Sequence, residues 1–367
     1  MDVFLTKFSS LSYIYNLISI PGCLLEGLFT LLVLFHTPKD MLIYKHTMLN
    51  TSVWSLLIIV HLTLFFRPVT FLPLPICAVT GLAQVFGRTF ASCQFLVALF
   101  LIANKSISLF LCVAANYVSL TFPLYIRTMT YRKGIMIFSA FHSVVSLLML
   151  LSAYMSYADR EALNRHEIVN KLQMMYPYNY DDILSITNNS VVIGVRRNSL
   201  VSFSSGFFLF LSTLCIVLSL TLTFLSVKTL NRSMTRRPSH SFITLRRRLK
   251  IMLIERSIVP ILTYSLPITI AVAIIHFDLI EVSGWIQWLI LTSIASPLIC
   301  NTIVMGTLEP FRKVMRKVLN LEWKVLFKEN SSAKLQLKCH RKRRLLPMSL
   351  IVKINAIPSS AVIPSVL

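Results

Sequence analysis

Seven long apolar stretches constrain this chain more than any other feature. They run over about 12–35, 47–66, 90–120, 134–157, 200–227, 251–275 and 284–305. Each reaches the roughly 20 residues that a helix needs to cross the hydrocarbon core of a bilayer. Only 14% of the residues are charged and mean hydropathy is +0.72. A soluble domain carries about 25% charged residues, so this much apolar surface has no water-soluble core to enter. In lipid, a spanning segment must satisfy its own backbone, which selects helices. The segments lack the alternation of barrel strands. The expected fold is therefore an all-α membrane protein, a seven-transmembrane helix bundle. It divides into a domain over 1–310 and a basic tail over 311–367.

The net charge of +22 comes from 36 Lys and Arg against 14 Asp and Glu. In a soluble protein that balance would suggest nucleic acid. Its distribution argues against such a partner. Alternate gaps 36–46, 121–133, 228–250 and the tail hold 26 Lys and Arg, whereas the N-terminus and gaps 67–89, 158–199 and 276–283 hold 8. The positive-inside rule places the richer side in the cytoplasm, so the N-terminus is expected outside and the C-terminus inside. The basic face then meets an anionic inner leaflet. The first apolar segment follows a short start bearing Asp2 and Lys7, and is expected to serve as its own insertion signal. Within the tail, the basic and polar stretch 324–347 is expected to be mostly disordered or membrane-associated.

Glycosylation is expected at Asn188, in the external sequon Asn188-Asn189-Ser190. Cys77 and Cys93 lie on or near the outer side, where the compartment permits a bridge between them; two free thiols are the alternative. No cysteine or histidine spacing suggests a metal, no phosphate loop or hydrolase motif is found, and no cofactor or enzyme activity is expected. Pro21, Pro260, Pro267 and Pro297 punctuate helices and can kink them.

Polar groups within lipid are costly and tend to face the bundle interior. They single out Glu26 in the first helix, His61 in the second, and Asn104, Lys105 and Ser106 in the third. Lys105 is the most expensive of them. It is open to three readings: a contact for an acidic or carbonyl-bearing ligand, a structural partner of an internal acid such as Glu26, or a long side chain reaching a watery cavity. Asn104, Glu26 and His61 complete the candidate ligand site. At the basic side, Arg246, Arg247 and Arg248 precede the sixth helix, either as lipid anchors or as a partner surface.

Several stretches carry a resemblance. They are Thr37-Pro38-Lys39-Asp40-Met41, Met48-Leu49-Asn50 with Trp54-Ser55, Ile258-Val259-Pro260 with Pro267, Asn301-Thr302-Ile303-Val304-Met305 and Pro310-Phe311-Arg312-Lys313. In this order and spacing the chain resembles the nematode serpentine chemoreceptors, and among them most of all class H. The resemblance implies a G-protein-coupled receptor of the plasma membrane, with a sensory cilium as one setting. A small-molecule ligand and a heterotrimeric G protein are its implied partners, the latter meeting Tyr117, Arg127, Arg246, Arg247 and Arg248. The chain departs from rhodopsin-like receptors in having Ala114-Ala115-Asn116-Tyr117 where an arginine precedes the tyrosine, and Ser296-Pro297 for the seventh-helix Asn-Pro. A seven-helix ligand-gated channel and a transporter are the rival readings. The first would put the N-terminus inside, and the second usually shows an internal repeat.

Overall fold

The computed structural model describes residues 2–37, 42–71, 76–122, 131–158, 165–175, 190–194, 199–232, 253–279, 285–307 and 312. The chain divides into two units, Met1–Phe311 and Arg312–Leu367, and all the described residues but Arg312 belong to the first.

Seven helices are long and apolar enough to span a membrane. They are α1 (Asp2–His36), α2 (Leu42–Val60), α3 (Gly87–Thr121), α4 (Tyr131–Ala158), α6 (Ser199–Arg232), α7 (Leu253–Phe277) and α8 (Ile286–Thr307). Several run past the apolar stretches that announce them. α1 begins well before residue 12, because hydropathy marks the length in lipid whereas a helix continues until a breaker stops it. α3 packs against α2, α4 and α6, while α1 meets α2 and α8, and α7 meets α6 and α8. The chain thus closes a ring of helices around α3.

The bundle places polarity inside and apolar surface outside. Glu26, Asn104, Lys105, Ser52 and Asn301 are buried, whereas Leu24, Leu147, Phe203 and Phe224 are exposed. That inversion suits lipid, which solvates leucine and cannot solvate a carboxylate.

Two helices depart from α geometry. α2 continues as a π turn over His61–Phe66, and α7 is wound as a π turn over Ile261–Ser265. The second follows Pro260, which has no N–H to give to the preceding turn. Pro21 and Pro297 sit inside α1 and α8.

The gap regions at one end of the bundle contain structure that hydropathy does not announce. Strands β1 (Pro68–Thr70), β2 (Ile76–Val79) and β3 (Val191–Gly194) form an antiparallel sheet in that order, with Val69 opposite Ala78 and Cys77 opposite Ile193. β-Branched residues favour these pleated segments. The central strand is buried on both faces, and its alternation is divided between two cores. Ile76 and Ala78 pack with Ile168 and Leu172 of the short helix α5 (Arg165–Met175). Cys77 and Val79 join the main core of the bundle with Tyr15, Phe66 and Ile193. The long gap 158–199 therefore contributes a helix and a strand.

Hydrogen bonds tie the sheet to the helices. Tyr15 donates to the Pro68 carbonyl at 2.7 Å, and Thr70 Oγ1 donates to Gln287 Oε1 at 2.9 Å. Arg67, in the left-handed region at φ 44°, reaches Asn16 Oδ1 at 2.5 Å. Gly81 lets the return segment touch the end of α2, since a Cβ there would collide with the Phe65 carbonyl oxygen.

Candidate functional site

The polar residues of the spans gather into two linked clusters. In the first, α2 presents Thr47, Thr51, Ser52 and Ser55. Their spacing of three and four residues puts them on neighbouring positions of one helical face. Glu26 of α1 is 1% exposed. It accepts hydrogen bonds from Ser52 and from Asn301 Nδ2 of α8, the latter at 2.6 Å. Thr30 lies 2.6 Å from Ser52 Oγ and donates to the Glu26 backbone carbonyl at 2.8 Å. Lys105 of α3 is 4% exposed. Its ammonium donates to Ser55 Oγ and to the Thr51 carbonyl, at 3.2 Å for the second. Ser108 Oγ donates to Thr51 Oγ1 at 3.0 Å.

Glu26 and Lys105 bring groups of opposite formal charge into the same core. Glu26 bonds directly to a hydroxyl and an amide N–H, Lys105 to a hydroxyl and a carbonyl, and α2 supplies partners to both. This geometry favours the structural reading of Lys105, with Glu26 as its counter-charge. A buried charge without such partners would cost several kcal/mol, of the order of 3 to 5.

The second cluster joins α2, α3 and α4. Asn104 is fully buried. It donates from Nδ2 to the Phe100 carbonyl at 2.9 Å and to Ser146 Oγ at 3.1 Å. His142 Nδ1 lies 2.8 Å from Asn104 Oδ1. Trp54 Nε1 donates to His142 Nε2 at 3.2 Å, with the rings 4.9 Å apart. An indole nitrogen can only donate, so Nε2 must accept and Nδ1 must carry the proton. His142 is thereby held neutral, donating to Asn104. Asn50 stands 3.1 Å from the same Nε2. With that nitrogen accepting, its amide must turn the NH2 group inward, which also supplies a partner to an otherwise unbonded Nδ2.

The four candidate ligand residues are thus not one site. Glu26 and Lys105 share the first cluster and Asn104 anchors the second. His61 lies apart in the π turn of α2, where Nε2 is 3.0 Å from the Gln94 carbonyl and the ring stacks on Phe66. Tyr117 is half-buried near the end of α3. Arg127, Arg246, Arg247, Arg248, Asn188 and the tail beyond Arg312 lie outside the described residues.

The bridge between Cys77 and Cys93 is not formed. Both thiols are free, because Cys77 points into the main core from β2 whereas Cys93 is exposed on α3. Burial pushes the Cys77 thiol up to about 12, so it stays protonated and inert.

Sequence reasoning passed over Ser52, Ser55, Asn301 and His142 as site residues. The periodic hydroxyls of α2 were a usable signal. His142, alone in an apolar stretch, was not, because its value depends on Asn104 and Trp54 arriving from other helices.

A family model described as serpentine type 7TM GPCR chemoreceptor Srh matches residues 6–321. No curated protein matches the chain.

Proposed function

We infer the function from the premise that this chain belongs to the Srh family of serpentine seven-helix G-protein-coupled chemoreceptors. It is a multi-pass membrane protein of that family. Our reading is that it binds a small external molecule within the bundle and activates a heterotrimeric G protein from the plasma membrane.

The observation that carries this reading is the bonded core of Glu26 with Ser52 and Asn301, and of Lys105 with Ser55, which couples α1, α2, α3 and α8. A ligand acting near Lys105, Asn104, Glu26 or His61 changes the terms on which these helices hold together. It drives signalling only by binding the active arrangement more tightly than the resting one. Charge supports an orientation with the sheet end outside and the basic gaps in the cytoplasm. The G protein then meets Tyr117, Arg127, Arg246, Arg247 and Arg248.

The test is GTP exchange by a G protein co-reconstituted with the chain in vesicles, screened against a panel of small water-soluble and volatile molecules. Ligand-dependent exchange is the expected result. A ligand-evoked ionic current that persists without G protein would overturn the reading in favour of a channel. Orientation has its own check: Asn188→Gln should abolish a glycosidase-sensitive mass shift, and the parent chain lacking any such shift would count against an external 158–199 segment.

A further inference from the structure

The turn that leads into α3 carries its large apolar residues on the outside. From Pro68 to Gly87 the chain has no charged residue, although this stretch joins two spans and would be expected to meet water. Its last part, Leu82–Phe86, is a 3₁₀ turn. Ala83 points inward and is fully buried in the main core. Leu82, Val85 and Phe86 are 54%, 76% and 67% exposed. Five residues are too few to cross a bilayer, so these side chains need another apolar partner.

The backbone fixes the turn in this orientation. Thr80 donates to the Arg67 carbonyl from its N–H at 3.2 Å and from Oγ1 at 3.0 Å. Gly81 then passes so close to the Phe65 carbonyl that only a residue without a Cβ fits. At the other end Gly87, at φ 86°, leads the chain into α3 in a conformation that glycine adopts without strain. Phe90, in the first turn of α3, meets Phe86 with the rings 4.9 Å apart. The apolar surface of the turn therefore runs onto the span without a break.

A contiguous exposed apolar patch marks a protein partner or a membrane. Continuity with a spanning helix favours the membrane. So do the exposed aromatic residues Phe203 near the start of α6, Phe277 at the end of α7, and Trp285 and Trp288 around the start of α8. These helix ends lie at the sheet end of the bundle, since α6 follows β3 and Gln287 of α8 bonds Thr70 of β1. A protein partner would cover one side. Exposed rings at the ends of several helices mark a planar interface, where aromatic side chains concentrate.

We propose that Leu82–Phe86 is a membrane-interface anchor, with Leu82, Val85 and Phe86 inserted at the boundary of headgroups and acyl chains in the leaflet at the sheet end. Thr80 and Gly81 fasten the turn to the end of α2, so the anchor sets the depth at which the sheet sits. The proposal stands whichever face of the membrane that end meets, and whether or not the chain signals through a G protein.

The experiment uses the full chain carrying Cys93→Ser, in vesicles of phosphatidylcholine. Val85→Cys is labelled with a bimane fluorophore, and the same protein without that cysteine supplies the blank. Asn170→Cys, at an exposed polar position of α5, is the reference for water, and the same dye there controls for the affinity of the label itself. Quenching by iodide and by phosphatidylcholine with a nitroxide near the top of one acyl chain is measured at both positions. The label at Val85 should be quenched by the nitroxide lipid well above the Asn170 label, and about threefold less by iodide, as expected for a group inserted at the interface. Phe86→Cys gives the same reading should Val85→Cys fail to fold. Iodide quenching equal to that at Asn170, without quenching by the lipid, would place the turn in water and overturn the proposal. Quenching by neither would overturn it too, because the patch would then be covered by protein, either another part of this chain or a second copy.

Discussion

The two sides of the bundle use polar residues in opposite ways. Around α1, α2, α3 and α8, side chains bond across helices: Glu26 to Ser52 and Asn301, Lys105 to Ser55, Ser108 to Thr51. On α6, Ser212, Thr221, Thr223 and Ser226 turn back onto carbonyls of their own helix. The first arrangement joins helices. The second shields hydroxyls within the helix, and α6 adds a bond across to a neighbour, between Ser205 and His276 Nδ1 of α7 at 2.9 Å. α7 stands between these extremes. It reaches the Ile102 carbonyl through Tyr264 at 3.0 Å, Ser296 through Thr263 at 2.7 Å and Ser205 of α6 through His276 at 2.9 Å. The difference divides the molecule into a fixed side, cross-bonded by several side chains, and a side with fewer such bonds.

Breaking the fixed side should cost most. Lys105→Met leaves Glu26 buried beside a neutral chain, and stability should fall by about 3 kcal/mol. Thermal unfolding and surface expression both read this loss. A variant as stable as the parent would remove the structural reading of Lys105 and leave the ligand-contact and watery-cavity readings. His142→Ala should cost about 2 kcal/mol, since it strands the Trp54 N–H and leaves Asn104 Oδ1 with only Ser146, at 3.3 Å. Thr223→Ala and Ser212→Ala, on the other side, should change Tm little, with effects within about 0.5 kcal/mol. Should the α6 hydroxyls prove as costly as His142, the division into two sides is wrong.

Features that depend on one segment at a time are legible in the chain alone. Seven spans can be read because each segment must satisfy its own backbone in lipid, whatever its neighbours do. Glu26, Asn104 and Lys105 stand out because their burial is expensive in any arrangement. Their partners do not, since a serine such as Ser52 or Ser55 is ordinary until a neighbouring helix brings a charge to it. Lys105 carries three readings in the sequence for the same reason. The sheet is hidden by another cause. Val191–Gly194 and Ile76–Val79 are short, and their pairing spans more than a hundred residues of sequence. The apolar pair Ile168 and Leu172 of α5 is too brief a pattern to mark a helix on its own. The bridge between Cys77 and Cys93 fails because sharing a compartment says nothing of which way two side chains point.

The fixed side rests on Glu26 and Lys105 acting as one unit. A double-mutant cycle of Glu26→Gln and Lys105→Met, followed by thermal unfolding of all four proteins, tests this most directly. The double variant should be more stable than the sum of the single losses allows, with a coupling of about 1 kcal/mol or more. Additive losses, with coupling near zero, would mean that each residue serves only its own hydrogen-bond partners, and would contradict a shared Glu26–Lys105 unit.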